Sequence, residues 1–521
     1  MAAPVYFAAV SRVVGAVLWI FSLAFVPPLV MAFGDVRSEA ARNLHGTGWD
    51  GLLAGMLTTV VLGAVLRWTG RKAGTEFYRR EGLVVVLVAW VLAAFLAAIP
   101  FRWDGLVPRW SDAVFESISG LTTTGATVFG SGGCCAIESV PRAILFWRSM
   151  TNWIGGIGIV VIFCALLPAL GVRARTLIEM EVSGVQKQGS LPRVQDTMRQ
   201  LVLLYASLSL VMVGSLRLLG LGWLDSVCAS FGAVSTGGFY TKNASIGAHG
   251  LPGVEWAVAI FMIVGALNFG VLLAVARGDR GCLRNLVRDP ELRLFVAMMV
   301  GATLVIAAFL WSRGGQHKDA ITGVLHEYGS LEKCLRDSLF QVASIGGTCG
   351  FTTVDYSHWP VACQAILILL MGCGGCAGST AGGVKIVRVV ICVLLVRYAV
   401  RRFVRPASVE KIHLGDEIIS DGQVSAVVSL VLAWVGLVGA GALVLLLDPR
   451  LDIVSAFSAS LACMNSIGPA LSAPGATIDV GPYGAFGALT GLSQYTLSFL
   501  MIVGRLEVFP VIAVLSRSFW R

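Results

Sequence analysis

The chain is 521 residues long, 56% hydrophobic and 13% charged, with a mean hydropathy of +0.80 and a formal net charge of +9. So much apolar surface cannot be enclosed in a soluble core, which excludes a soluble globular protein and defines a polytopic membrane protein. No P-loop signature, zinc-ligand spacing or nucleophile elbow occurs in the sequence, so neither a membrane enzyme nor a self-contained ATP-driven pump finds its chemistry here.

Crossing a bilayer takes about 20 apolar residues, and ten stretches qualify: 9–33, 50–67, 81–100, 143–170, 198–219, 254–276, 292–311, 361–396, 423–447 and 486–515. The first is too long for a signal peptide and shows no small-residue cleavage site, so it is read as a membrane helix. Taking alternate connections together puts Arg67, Arg71, Lys72, Arg79 and Arg80 on one side with Arg173, Arg175, Lys187, Arg193 and Arg199. Arg277, Arg280, Arg284, Arg288 and Arg293 join them, as do Arg397, Arg401, Arg402, Arg405 and Lys411. Basic loops face the cytoplasm, so both termini are expected there, and the net charge needs no nucleic acid to explain it.

Between these stretches one pattern recurs: LTTTGAT around Gly125, VSTGGFY around Gly238, IGGTCGF around Gly350 and MNSIGPA around Gly468. The glycines lie 113, 112 and 118 residues apart, and each has a hydroxyl two places upstream, at Thr123, Thr236, Thr348 and Ser466. This is an internal fourfold repeat. Asp112, Asp225 and Asp337 stand 13 residues before the first three glycines and Ser455 takes that place in the fourth; Pro141, Pro252, Pro360 and Pro482 follow and suit the starts of outgoing helices. The runs before the glycines, such as Ser111 to Thr123 and Cys334 to Thr348, are too short to span and suit re-entrant half-helices. Non-helical backbone at membrane depth is tolerated only where protein buries it or where it lines a watery cavity, so four such loops imply one pore.

Residue type then indicates the ion. Thr123-Thr124-Gly125, Thr236-Gly237-Gly238, Thr348-Cys349-Gly350 and Asn465-Ser466-Ile467-Gly468 are uncharged and offer no carboxylate ring for a divalent cation. Glycine lets the backbone turn its carbonyls inward, and such oxygens can replace the hydration shell of a monovalent cation such as potassium. The upstream hydroxyls can add ligands at the inner end, and a Cys349 thiol beside the path would be open to a small reagent.

Two further features carry more than one reading. The run Gly372 to Lys385, with Gly374, Gly375, Gly378, Ser379, Thr380, Gly382 and Gly383, is either a tightly packed or kinked helix or an unwound intramembrane loop. Cys373 and Cys376 within it have the spacing of a metal or redox pair, but no second pair accompanies them, and cysteine is a common small residue in apolar settings. Arg505, in the last apolar stretch, either snorkels to the cytoplasmic face, or pairs with Glu507 or another chain's carboxylate, or acts inside the membrane. Cys134, Cys135 and Cys334 sit in outer connections, where a disulfide is one option.

Together with FWRSMTNWIGGIGIVV from Phe146, GSTAGGVKIVRV from Gly378 and GRLEVFPV from Gly504, the four glycine loops make the chain resemble the potassium-translocating subunits of the Trk/Ktr/HKT superfamily, specifically the bacterial TrkH type. The resemblance covers essentially the whole chain. It implies an all-α polytopic membrane protein in which four pseudo-symmetric repeats of helix, pore half-helix, filter loop and helix surround one pore. The divisions expected are two extra N-terminal helices in 1–80 and repeats at 81–197, 198–291, 292–422 and 423–521. It further implies potassium uptake across the bacterial inner membrane, with no covalently bound cofactor. The four loops, from Thr123 to Gly125 through Asn465 to Gly468, become its filter. The Gly374–Lys385 loop becomes a gate and Arg505 a fixed charge beneath the filter that raises the barrier to cations. Membrane lipid, a second copy of the chain and a TrkA-type cytoplasmic nucleotide-binding ring are the implied partners. The alternative is a symporter coupling potassium to protons or sodium; such carriers usually carry inverted repeats, whereas these four run in the same direction.

Overall fold

A computed structural model of the chain describes residues 7–37, 46–72, 79–103, 105–169, 191–278, 289–313, 316–318, 325–405, 412–414, 417–473 and 475–520. Of the basic residues named above, Arg173, Arg175, Lys187, Arg280, Arg284, Arg288 and Lys411 lie outside the described residues, as do the side chains of Arg79 and Arg193. The architecture is helical: among the described residues six helices are long and apolar enough to cross a bilayer, or eight with two bent pairs counted as single spans.

The chain opens with α1 (Phe7–Ser22), which a 3-10 turn joins to α2 (Val26–Arg37), followed by α3 (Trp49–Thr69). Helices α1 and α3 approach closely because both are glycine-bearing at the contact: a Cβ on Gly15 would lie 2.7 Å from the Gly63 carbonyl.

Four units of one design follow. The first is α4 (Arg79–Trp103), the half-helix α5 (Trp110–Leu121) and the return helix α6 (Arg142–Ala169). The second comprises α7 (Leu191–Leu218), the half-helix α8 (Trp223–Val234) and a return in two pieces, α9 (Pro252–Gly265) and α10 (Phe269–Ala276). The third is α11 (Pro290–Arg313), the half-helix α12 (Leu331–Gly346), α13 (Val361–Met371) and α14 (Ile386–Val404). The fourth is α15 (Asp421–Leu445), the half-helix α16 (Ile453–Met464), α17 (Gly491–Leu506) and α18 (Val508–Leu515). In each unit a short 3-10 turn separates the glycine loop from the return helix, at Ile137–Ser139, Ser245–His249, Tyr356–His358 and Phe486–Ala488.

Three of the four return helices are broken, and the sequence pointed to only one break. The glycine-rich run Gly372 to Lys385 is an unwound loop between α13 and α14. The second return bends by 105° before Asn268, whose side chain caps α10 by accepting from Gly270 N at 2.8 Å and Val271 N at 3.3 Å. The fourth bends by 114° at Glu507, a non-glycine residue at φ +68°.

The helix starts also refine the expected register. Pro141, Pro252 and Pro360 sit at or beside the first residue of α6, α9 and α13, but Pro482 lies in the loop ahead of α17, which Thr490 caps instead by accepting from Ser493 N. In the fourth half-helix the acid has moved to the N-cap: Asp452 accepts from Ser455 N at 2.9 Å and from Ser455 Oγ at 2.6 Å. Two small antiparallel hairpins, β1 (Gln316–Lys318) with β2 (Leu325–Glu327) and β3 (His413–Leu414) with β4 (Glu417–Ile418), add to the expected all-α plan. The described ends meet on one face, where Phe7 stacks on Trp520 with ring centroids 5.9 Å apart.

Candidate functional site

Each half-helix is buried toward its C-terminal end and leads into a glycine loop. In α5 all eleven residues from Ser111 to Leu121 are buried, which a half-helix in contact with lipid or water would not require. None of the four carries a basic residue in its last turn, so the negative end of each helix dipole is left for a cation.

The chain leaves each half-helix by one repeated closure. The N–H of Thr124, Gly237, Cys349 and Ile467 reaches back five residues, to the carbonyls of Ser119, Gly232, Ser344 and Ala462, at 2.8, 2.7, 2.7 and 2.9 Å. The preceding hydroxyl residues Thr123, Thr236, Thr348 and Ser466 have φ of 52°, 54°, 53° and 55°. Gly125, Gly238, Gly350 and Gly468 follow at 81°, 76°, 91° and 96°. Non-glycine residues at positive φ are uncommon and strained; four equivalent ones mark a backbone held in shape by its surroundings.

The four loops close into a ring. A Cβ on Gly125 would strike the Gly237 carbonyl, one on Gly238 the Cys349 carbonyl, one on Gly350 the Ile467 carbonyl and one on Gly468 the Thr124 carbonyl, each closer than 3.0 Å. The contacts run from the first loop through the fourth and back to the first, so four backbone oxygens and four side-chain-free α-carbons fit together around one axis. Above them lies a vestibule lined by Gly125, Gly238, Gly350 and Pro469 from the four loops, with Thr127, Lys242 and Thr352.

The upstream hydroxyls divide into two kinds. Thr123 Oγ1 and Ser466 Oγ are buried with no hydrogen-bond partner, whereas Thr348 Oγ1 accepts from Gly382 N at 2.8 Å and Thr236 Oγ1 lies 3.4 Å from Thr380 Oγ1. Gly382 and Thr380 belong to the glycine-rich run, which is wedged against the glycine loops. Thr380 Oγ1 also bonds Val234 O at 3.1 Å and Gly265 O at 3.0 Å, and a Cβ on Gly382 would lie 2.5 Å from Asn465 O. Ser379 Oγ bonds Cys376 O at 2.6 Å. Gly375 O accepts from Ile386 N and Gly378 O from Phe269 N, both at 3.0 Å. Gly374, Gly378 and Gly383 hold φ of 81°, 69° and 78°, which supply the turns of this unwound segment.

Arg505 does not snorkel and does not pair with Glu507. It is 4% exposed and donates from Nη1 to Thr380 O at 2.5 Å and from Nη2 to Gly155 O at 3.3 Å. Glu507 pairs with Arg388 at 2.9 Å, and Lys385 Nζ donates to Ala381 O at 3.0 Å. Cys349 departs from expectation: its carbonyl belongs to the ring, but its thiol is fully buried and directed at Gly232 O, behind the loop. Cys134, Cys135 and Cys334 are free thiols, and burial pushes the Cys134 thiol, in the connection after the first loop, up to about 12.

One buried pair went unread in the sequence. Glu116 in α5 and Arg148 in α6 meet at 2.6 Å, with side chains 0% and 1% exposed. Glu116 accepts from Val128 N at 2.8 Å and from Thr127 Oγ1, while Arg148 donates to Tyr240 O at 3.0 Å and lies 4.3 Å from the Phe239 ring centroid. The pair therefore braces the residues just after Gly125 and just after Gly238. A charge inside each apolar or half-helical segment was the available signal.

A ring of backbone oxygens enclosed by four half-helices within apolar spans defines a membrane protein of the ion-transport class. The model of the TrkH family, described as cation transport protein, matches residues 51–520. The chain is 32% identical over 517 residues to the Trk system potassium uptake protein TrkH of Halomonas elongata, covering 98% of this chain and 99% of that protein. It is 31% identical to the protein of the same name from Escherichia coli K12, over 99% of this chain and 100% of that one. A crystal structure of the potassium transporter TrkH from Vibrio parahaemolyticus shares the fold with a TM-score of 0.85 at 29% identity, over 99% of this chain and 100% of the other. The chain belongs to the TrkH family of cation transport proteins.

Proposed function

We propose that this chain takes up potassium across the bacterial inner membrane through a single pore whose selectivity lies in the four glycine loops. The observation that carries this reading is the closed ring of contacts from Gly125, Gly238, Gly350 and Gly468 to the next loop's carbonyl. Uncharged oxygens fixed by such contacts can replace a monovalent ion's hydration shell, and the relatives' names supply potassium as the ion. The filter residues are Thr123 to Gly125, Thr236 to Gly238, Thr348 to Gly350 and Asn465 to Gly468. The loop from Gly374 to Lys385 is the gate and Arg505 the fixed charge beneath it. The divisions proposed are 1–80 for the two N-terminal helices and 81–197, 198–291, 292–422 and 423–521 for the four repeats. Both termini lie in the cytoplasm, a second copy completes a homodimer, and a TrkA-type nucleotide-binding ring docks on the basic face and draws on α14. Nothing in this reading calls for a bound cofactor or an enzymatic step.

The test is purified protein in liposomes under a potassium gradient at several pH values. A reversal potential that follows potassium alone supports a pore. One displaced by a proton gradient supports coupled symport instead, and absence of potassium-dependent current with and without the partner ring rejects the assignment.

A further inference from the structure

Arg505 is a buried cation without a counter-charge. Among the described residues no carboxylate lies within ion-pairing distance of it, and while its two Nη atoms donate to backbone carbonyls, its Nε donates to nothing. A buried donor or charge left unmatched is expensive, and structures normally supply a partner.

The surroundings suit an anion. Arg505 lines a cavity of about 490 Å³, counting the part open to solvent, together with Gly383, Lys385, Arg388, Glu507 and Val508. Three cations thus line it against one acid, and that acid, Glu507, is engaged by Arg388 at 2.9 Å. Glu291, the carboxylate that acts on Lys385 from α11, gives one oxygen to Ala377 N at 2.6 Å. The start of α18 also opens here: Val508 lines the cavity, and the residue before it, Glu507, makes no side-chain cap. An uncapped helix start attracts negative charge.

We propose that this cavity binds a small monovalent inorganic anion of the chloride class, held beside the Arg505 guanidinium and the N-terminus of α18. A divalent oxyanion is the poorer match, since Arg388 is already answered by Glu507. A bound anion supplies Arg505 with the charge the protein withholds, and it softens the repulsion a passing cation meets at that side chain. The site goes beyond the potassium reading, because its occupancy does not depend on which cation the filter selects.

The test is ³⁵Cl nuclear magnetic resonance line broadening on the purified full-length protein in detergent, with gluconate replacing chloride at constant ionic strength. The expected result is a saturable excess width that bromide displaces and gluconate does not. Arg505→Gln should abolish that excess. Glu507→Gln, which releases Arg388 toward the cavity, should lower the chloride concentration at half-saturation several-fold. No saturable excess in the unaltered protein overturns the proposal, as does excess width displaced by orthophosphate and not by bromide. Unchanged width in both variants overturns it too. If Arg505→Gln does not fold, the bromide displacement and the Glu507→Gln shift decide.

Discussion

The backbone N–H of Gly382 donates to the Thr348 hydroxyl at 2.8 Å, which ties the unwound loop of the third return helix to one of the four glycine loops. Thr380, two residues earlier, reaches Val234 O and Gly265 O of the second unit. The loop is therefore anchored by a few hydrogen bonds, each contributing about 0.5–1.5 kcal/mol net. Thr380→Val removes the hydroxyl and should shift the loop toward withdrawal by roughly fivefold per 1 kcal/mol lost. The expected outcome is potassium flux without the partner ring, measured in liposomes. Deleting Gly374 to Gly383 should give a pore open without its partner and still selective. A deletion variant that inserts, dimerises and still depends wholly on the partner shows that the segment is not the gate.

Arg505 offers a second test. Its guanidinium is held by Thr380 O and Gly155 O with no carboxylate in contact, so no acidic side chain offsets the repulsion a cation meets in passing it. Removing the charge lowers that barrier by on the order of 1 kcal/mol or more, depending on local water. Arg505→Ala should raise flux per inserted molecule several-fold. A variant that expresses, inserts and conducts no faster contradicts the barrier role.

The Arg148–Glu116 pair makes the third prediction, for stability. Breaking a buried pair from one side costs about 3–5 kcal/mol, because the remaining charge stays buried and unmatched. Arg148→Met and Glu116→Leu should each lower the thermal unfolding midpoint sharply, and the double variant should lose less than the sum of the two. Strict additivity in this cycle would show that the two side chains act independently.

Cys349 gives the fourth. Its thiol lies behind the ring against Gly232 O and is fully buried, so a small thiol reagent applied from the outer side should leave flux unchanged. Fast loss of flux that Cys349→Ser prevents would place the thiol beside the path after all.

What the sequence made legible was whatever repeats locally. A hydroxyl two residues before a glycine, after a run too short to span, was enough to find all four loops, and their left-handed backbone follows from that pattern. Pairings between distant segments were hidden. Arg148 and Glu116 are 32 residues apart and belong to different helices, so only the folded unit brings them together. The break at Glu507 was invisible because the apolar run continues through it, and a non-glycine residue at φ +68° has no sequence signal. Asn268 did carry one, as a capping residue ahead of an apolar helix. It was masked by the unbroken hydropathy from 254 to 276.

The most direct measurement is the reversal potential under opposed potassium and sodium gradients, for the unaltered protein and for Gly350→Ser, in liposomes with insertion verified. Gly350 sits at φ +91°, and any Cβ there runs into the Ile467 carbonyl of the next loop. A serine must therefore push one oxygen out of the ring. The predicted result is a reversal potential that follows potassium in the unaltered protein and moves toward zero in Gly350→Ser. Potassium-over-sodium selectivity unchanged in that variant would contradict the assignment of the glycine ring as the filter.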